Sequence, residues 1–189
     1  MQRVADHDID PQFLRRWSGR AMSGEPVERE TLLRLFEAAR WAPSSGNGQP
    51  WRFVYAIVGT PRFGEFHGLL APGNQPWCAR AGALIVVATR TVRDNGAPAR
   101  TAPFDAGAAW MAFALQGSML GLVTHGMEGF DYDRAHALVG LPADHAVQCM
   151  IAVGHPGKIE DLPEKYRERE QPSGRHPVGA FVFEDRFSQ

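Results

Sequence analysis

The run ALIVVAT, residues 83–89, is the stretch that most restricts what this chain can become. It is continuously apolar and rich in β-branched residues, without the alternation of a half-exposed strand. That pattern predicts a strand buried on both faces, inside a sheet that helices cover. HAVQCMIAVG, residues 145–154, reads as another buried strand. Between the two lies AGAAWMAFALQGSMLGLV, residues 106–123, apolar over most of its length. Its length raises the question of a membrane span. Gln116, Ser118, several glycines and the lack of basic flanks argue instead for a buried helix, predicted over 105–121.

The other elements follow from local signals. Asp10 before Pro11 predicts an N-cap and a first helical residue, with a short helix PQFLRRW that stops at the turn-forming SGRAMSGEP. Leu32, Leu35, Phe36 and Ala39 fall at helical spacing and predict a helix over 28–41. A strand is predicted over 52–58, a helix over PRFGEFHGLL, and loops over APGNQPW and 91–103. LVTHGMEGF predicts a short strand running into a glycine turn, and a helix follows over 132–140. A last strand-like piece, GAFVFED, is separated from the rest by a long polar linker. It needs a sheet edge, either by folding back or by adding to a partner's sheet. The element order reads as an α/β alternation with one unusual end, in one domain over 1–189.

Composition mainly excludes. A formal net charge of −1 gives no ground for nucleic acid or a membrane surface as partner. Cys78 and Cys149 form no C-x-x-C and lie in or beside apolar segments, so a reduced pair is expected. With a polar N-terminus, MQRVADHDID, this predicts a cytoplasmic protein. No H-E-x-x-H or Cys/His cluster points to a metal, and no G-x-S-x-G or P-loop is present. Gly46-Asn47-Gly48 hints at a dinucleotide fingerprint, but Pro50 and Trp51 stand where a helix and a third glycine would be needed. Without an evident acid–base pair, an enzyme would need a cofactor to carry the chemistry.

Two polar stretches hold more chemistry than their local structure needs. In RRWSGR, residues 15–20, Arg16, Ser18 and Arg20 alternate, so an extended backbone puts them on one face, suited to a phosphate or an anionic ring. In APSSGNGQPW, residues 42–51, Pro43 and Pro50 explain a helix stop, but not two serines, an Asn and a Gln together.

With the Ala/Gly-rich helix and the MEGF turn after it, these stretches resemble the FMN-dependent nitroreductase family, from about Phe13 to about Gly157 and again at Arg175. P-S-S-x-N-x-Q-P-W is the most specific part. The resemblance implies an α+β nitroreductase-like fold, with a mixed central β-sheet flanked by helices, in an intertwined homodimer with FMN sites at the interface. The helix 105–121 would lie in that interface, and the extension 155–189 would wrap the partner by strand exchange. It implies that Arg16, Trp17, Ser18 and Arg20 hold the FMN phosphate and pyrimidine edge, while Pro43, Ser44, Ser45, Asn47 and Gln49 reach the flavin from the second subunit. Asn74 would lie near the pyrimidine and ribityl side, the backbone of Gly126, Met127, Glu128 and Gly129 would face flavin N5, and Arg175 would close on the phosphate. The implied activity is reduction of a nitroaromatic, a quinone or a similar electron-poor acceptor by NADH or NADPH, in ping-pong fashion with no catalytic side chain. A specialised flavin reaction, such as dehalogenation or heterocycle oxidation, and a non-catalytic flavin carrier or sensor are the alternatives. Two departures matter. Only VRDNGAPARTAPF, residues 92–104, fills the place where many members carry a helical lid, so a more open pocket is expected. Ser173 stands where a second basic residue is common, so a weaker phosphate contact is expected.

Overall fold

The computed structural model describes residues 3–187. Its sheet has four strands, β1 (Trp51–Ile57), β2 (Ala83–Arg90), β3 (Val123–Met127) and β4 (His145–Gly154), in the order β1-β2-β4-β3. All three pairings are antiparallel. The α+β class holds, but the expected mixture of strand directions does not occur among these four strands. A hydrophobic run shows that a strand is buried and carries no sign of its direction.

The helices are α1 (Pro11–Arg15), α2 (Arg29–Arg40), α3 (Pro61–His67), α4 (Gln75–Cys78), α5 (Ala102–Met119), α6 (Tyr132–Leu138) and α7 (Glu164–Arg167). They explain the unbroken apolar run in β2. Ala83, Ile85 and Val87 point to one face, where Leu32 and Leu35 of α2 and Phe113 of α5 cover them. Leu84 and Val86 point to the other, against Phe63 and Phe66 of α3 and Trp77 of α4. Met150 and Ala152 of β4 share the second face, Ile151 and Val153 the first. Each large apolar side chain buried this way contributes about 1.5–3 kcal/mol. No helix of the described residues is long and apolar enough to cross a membrane.

Asp10 caps α1 as expected, its carboxylate accepting from Gln12 N at 2.8 Å. The segment APGNQPW is not all loop: α4 starts at Gln75, with Pro76 in its first turn, where a missing N–H costs nothing. The short 91–103 segment closes on itself. Arg93 N donates to Ala97 O at 2.7 Å, and Val92 bridges Pro98.

The tail differs most from expectation. Val178–Ala180 is a single 3-10 turn, and GAFVFED forms no strand within the chain. A strand needs a paired edge, and among the described residues this segment pairs with none. Residues before it pack on their own chain: Leu162 is buried in the core, Met22 bridges Pro156, and Tyr166 Oη donates to Gly73 O at 2.7 Å. Towards its end the tail leaves Phe181, Val182, Phe183 and Phe187 exposed. Helix α5 also carries an exposed apolar stripe, with Phe104, Met111 and Met119 on its outer side.

The bridge between Met22 and Pro156 positions the RRWSGR stretch just before it. Ser23 N donates to His155 O at 2.9 Å and Gly157 N to Ala21 O at 3.0 Å. A Cβ at Gly157 would lie 2.4 Å from Met22 O, a backbone atom that cannot swing away. Gly157→Ala is expected to destabilise the protein by about 1–3 kcal/mol, the usual range for overpacking that moves backbone. Urea unfolding checks this, with an unchanged midpoint as the contrary result.

Candidate functional site

The chain leaves α1 in extended conformation at Arg16, and the alternation read from RRWSGR becomes a wall. Arg16, Trp17, Ser18 and Arg20 line one side of a cleft of about 360 Å³, and Ser173 and Arg175 line the other. Arg16 Nη1 donates to Ser18 Oγ at 3.3 Å, while its Nε is buried with no partner among the described residues. Arg3 closes the rim. Its Nη1 donates to Leu14 O at 3.1 Å and to Arg16 O at 2.7 Å, and its Nε to Ser173 O at 3.0 Å. Arg169 also lines the cleft, and among the described residues no carboxylate does. Burial, then the charges of Arg3 and Arg175, push the Arg16 pKa below the ordinary guanidinium value. Arg3 is pushed down by burial and by Arg175. Guanidiniums that repel one another around a buried, unused N–H fit a dianionic group, which would relieve the repulsion and take up the donor.

His125 on β3 forms the inner wall. Its Nδ1 donates to Gly19 O at 3.0 Å, and its ring lies 4.7 Å from that of Trp77. Arg20 lies over Trp77, 5.8 Å from the ring centroid. Burial, reinforced by the charges of Arg20 and Arg16, lowers the His125 pKa to about 4 against the opposing pull of the Gly19 carbonyl. His125 is therefore neutral near pH 7. Behind the wall, Glu170 is buried and its Oε1 accepts from Arg20 N at 2.7 Å and Ala21 N at 2.8 Å. It fixes the backbone from which Ser18 and Arg20 project.

The second polar stretch is shaped by its own bonds. Gly46, Asn47 and Gln49 have φ of 59°, 53° and 44°, the left-handed region. Glycine adopts it freely and Asn tolerably, but Gln rarely. Ser44 Oγ accepts from Gln49 N at 3.0 Å, and Gln49 Nε2 donates to Asn47 O at 3.0 Å. Ser45 N donates at 3.3 Å to Asp105, a buried carboxylate in the first turn of α5. Non-glycine residues held at positive φ concentrate at functional sites. Pro43, Asn47 and Gln49 stay exposed. Ser45 lines a different cleft, of about 460 Å³, with Arg52, Arg90 and the 91–103 turn. No described residue lines both clefts, so one chain does not bring its two polar stretches together.

Asn74 and the turn after β3 do meet. Asn74 Nδ2 donates to Gly129 O at 3.0 Å, and Phe130 N turns back to Glu128 O at 2.9 Å. Met127 is buried in the core, Gly126 packs on the Trp110 ring, and Glu128 points to solvent. Both cysteines are free, and burial pushes their pKa values up, that of Cys149 to about 11, so neither is a reactive thiolate.

Sequence reasoning missed Arg3, His125 and Glu170. Period two in VTHGM puts His125 on the same side as the core residue Met127, a usable signal. Glu170 sits in EKYRERE, which reads as a solvated charged face, and Arg3 lies in a polar segment with no pattern.

Fold and site define an α+β protein with a cation-rich cleft beside an aromatic wall and a rigid polar loop facing elsewhere. The chain belongs to the Nitroreductase family, whose profile matches residues 14–58 and 59–155. A crystal structure described as an oxidoreductase containing FMN is 41% identical with a TM-score of 0.95, over 98% of this chain and 96% of that one. A protein of Synechocystis named DrgA is 32% identical over 81% of this chain and 84% of its own length. A Thermus thermophilus protein named NADH dehydrogenase is 29% identical over 80% and 88%.

Proposed function

We propose that this protein is an FMN-dependent oxidoreductase that takes hydride from NADH or NADPH and passes it to a small electron-poor acceptor such as a nitroaromatic or a quinone. The observation that carries the reading is the buried Nε of Arg16, which among the described residues has no partner and sits among guanidiniums in a cleft that no carboxylate lines. FMN, when bound, supplies the hydride chemistry. Arg16, Ser18, Arg20 and Arg175 hold its phosphate end, Trp17 flanks it, and Asn74 with the backbone of residues 126–129 orients the ring. The loop Pro43, Ser44, Ser45, Asn47 and Gln49 serves the site of a second subunit. That assignment is supported by its separation from its own chain's cation cleft and by the exposed stripe of α5. The compact 91–103 turn leaves the acceptor side open, consistent with broad acceptor range.

Purified protein is expected to be yellow and dimeric by light scattering, and NADH or NADPH should bleach it under argon. Colour without bleaching favours a flavin carrier. A colourless protein that takes up no FMN defeats the reading, and a monomer removes the role of residues 43–49.

A further inference from the structure

The expectation that Ser173 leaves the phosphate site short of one cation is answered from the other end of the chain. Arg3 Nε is bonded to the carbonyl of that same Ser173, and Arg3 Nη1 to the carbonyls of Leu14 and Arg16. These bonds fix the guanidinium on the cleft rim, between Arg16 and the tail, and its Nη2 makes none of them. The two termini are tied together a second time. Val178 N donates to the Asp6 carboxylate at 2.8 Å. Arg175 in turn bends back on Ser173 Oγ, 3.1 Å from its Nη1.

We propose that Arg3 is a phosphate-binding residue of the flavin site, supplying from the N-terminus the cation that position 173 lacks, so that the two termini close the site together. Three carbonyls could hold any arginine for purely structural reasons. The structural explanation, however, does not account for a guanidinium placed where it repels Arg16 and Arg175 in a cleft that, among the described residues, no carboxylate lines. A fold gains nothing from such a cluster until an anion enters it. The inference rests on the FMN reading above and adds to it a residue that lies outside the matched family region, which begins at residue 14.

The phosphate monoester is what separates FMN from riboflavin, so affinity for the pair isolates the contact. Dissociation constants for both flavins would be measured by fluorescence quenching on wild type, Arg3→Ala, Arg3→Lys and Arg3→Ala with Ser173→Lys. Arg3→Ala is expected to weaken FMN roughly tenfold or more, the usual loss for a hydrogen bond to a charged group, and to leave riboflavin within about twofold. Arg3→Lys should keep most of the FMN affinity. Ser173→Lys should restore much of it in the Arg3→Ala background. Equal weakening of both flavins would mean that Arg3 only braces the termini, and unchanged FMN affinity would exclude the contact; either overturns the proposal while leaving the FMN reading intact. Wild type that does not prefer FMN over riboflavin would instead bring down the phosphate reading itself, and this proposal with it.

Discussion

Arg16→Ala is expected to lose FMN about 10- to 100-fold while its flavin-free form becomes no less stable than wild type, and measurably more stable if repulsion dominates. The two halves come from one geometry. Arg16 is half-buried, with like charges at Arg3 and Arg175 and an Nε that bonds nothing. In the empty protein this is a cost, since a buried charge without a partner is unfavourable. With a dianion present the same atoms make charge-assisted hydrogen bonds, each worth about 1.5–3 kcal/mol, which gives the stated range. Arg16→Lys should fall between, because an ammonium keeps the charge and loses the planar fork. Titration with FMN measures the first half. Thermal unfolding without and with excess FMN measures the second, since a ligand that binds only the folded state raises the transition by mass action. A variant that is destabilised when empty and still binds FMN like wild type would show that Arg16 is a structural residue.

Arg16 also shows what a sequence of this kind yields. The alternation of Arg16, Ser18 and Arg20 predicts a shared face once the backbone is extended, and the three do share the cleft. The unbroken apolar run of β2 predicts burial on both sides, and Ile85 and Val86 point into opposite cores. Both are local inferences, in which period and side-chain direction are fixed by covalent geometry. Strand direction is different: it depends on how connections close over the sheet, and the expected mixed sheet is antiparallel throughout its four strands. The tail segment depends on more than its own residues in the same way. GAFVFED has strand composition, but a strand is a relation between two segments, and its own chain leaves Phe181 and Phe183 to solvent.

The candidate site divides along the same line. Residues close in sequence were legible as a group; of those that complete it from afar, Arg175 came only through the family resemblance, and Arg3 and Glu170 not at all. Arg3 reaches Arg16 O from 13 residues away, and Glu170 reaches Arg20 N from 150. Neither carries a pattern of its own, because each contributes one group to a cluster assembled by the fold. The loop 43–49 was legible by composition, and in it Gly46, Asn47 and Gln49 hold left-handed backbone while Gly48 does not.

The missed His125 gives the second large effect: acid should weaken the empty protein through this one side chain, and His125→Asn should remove that part of the loss. In the folded chain its pKa is lowered to about 4 by burial, then by Arg20 and Arg16, while an unfolded chain holds it near 6.5. Between those values the unfolded state binds a proton that the folded state refuses. The contribution is therefore fully present above about pH 6.5, declines as the pH drops through that window, and is lost below about 4. At one unit per 1.36 kcal/mol, the loss attributable to His125 reaches about 2 kcal/mol at pH 5. Every other titrating group is common to both proteins, so the quantity to read is the stability gap between wild type and His125→Asn. Asn can still donate to Gly19 O, as Nδ1 does in the wild type, and the ring packing on Trp77 that it loses costs the same at both pH values and cancels in the comparison. By urea unfolding the gap should move by about 2 kcal/mol in favour of the variant between pH 7.5 and pH 5. Saturating FMN should shrink that movement, because a dianion close to the imidazole favours its protonated form and opposes the push from Arg20 and Arg16. A gap that is the same at both pH values would mean that His125 titrates alike folded and unfolded. The wall between Trp77 and the arginines would then be wetter than its packing indicates.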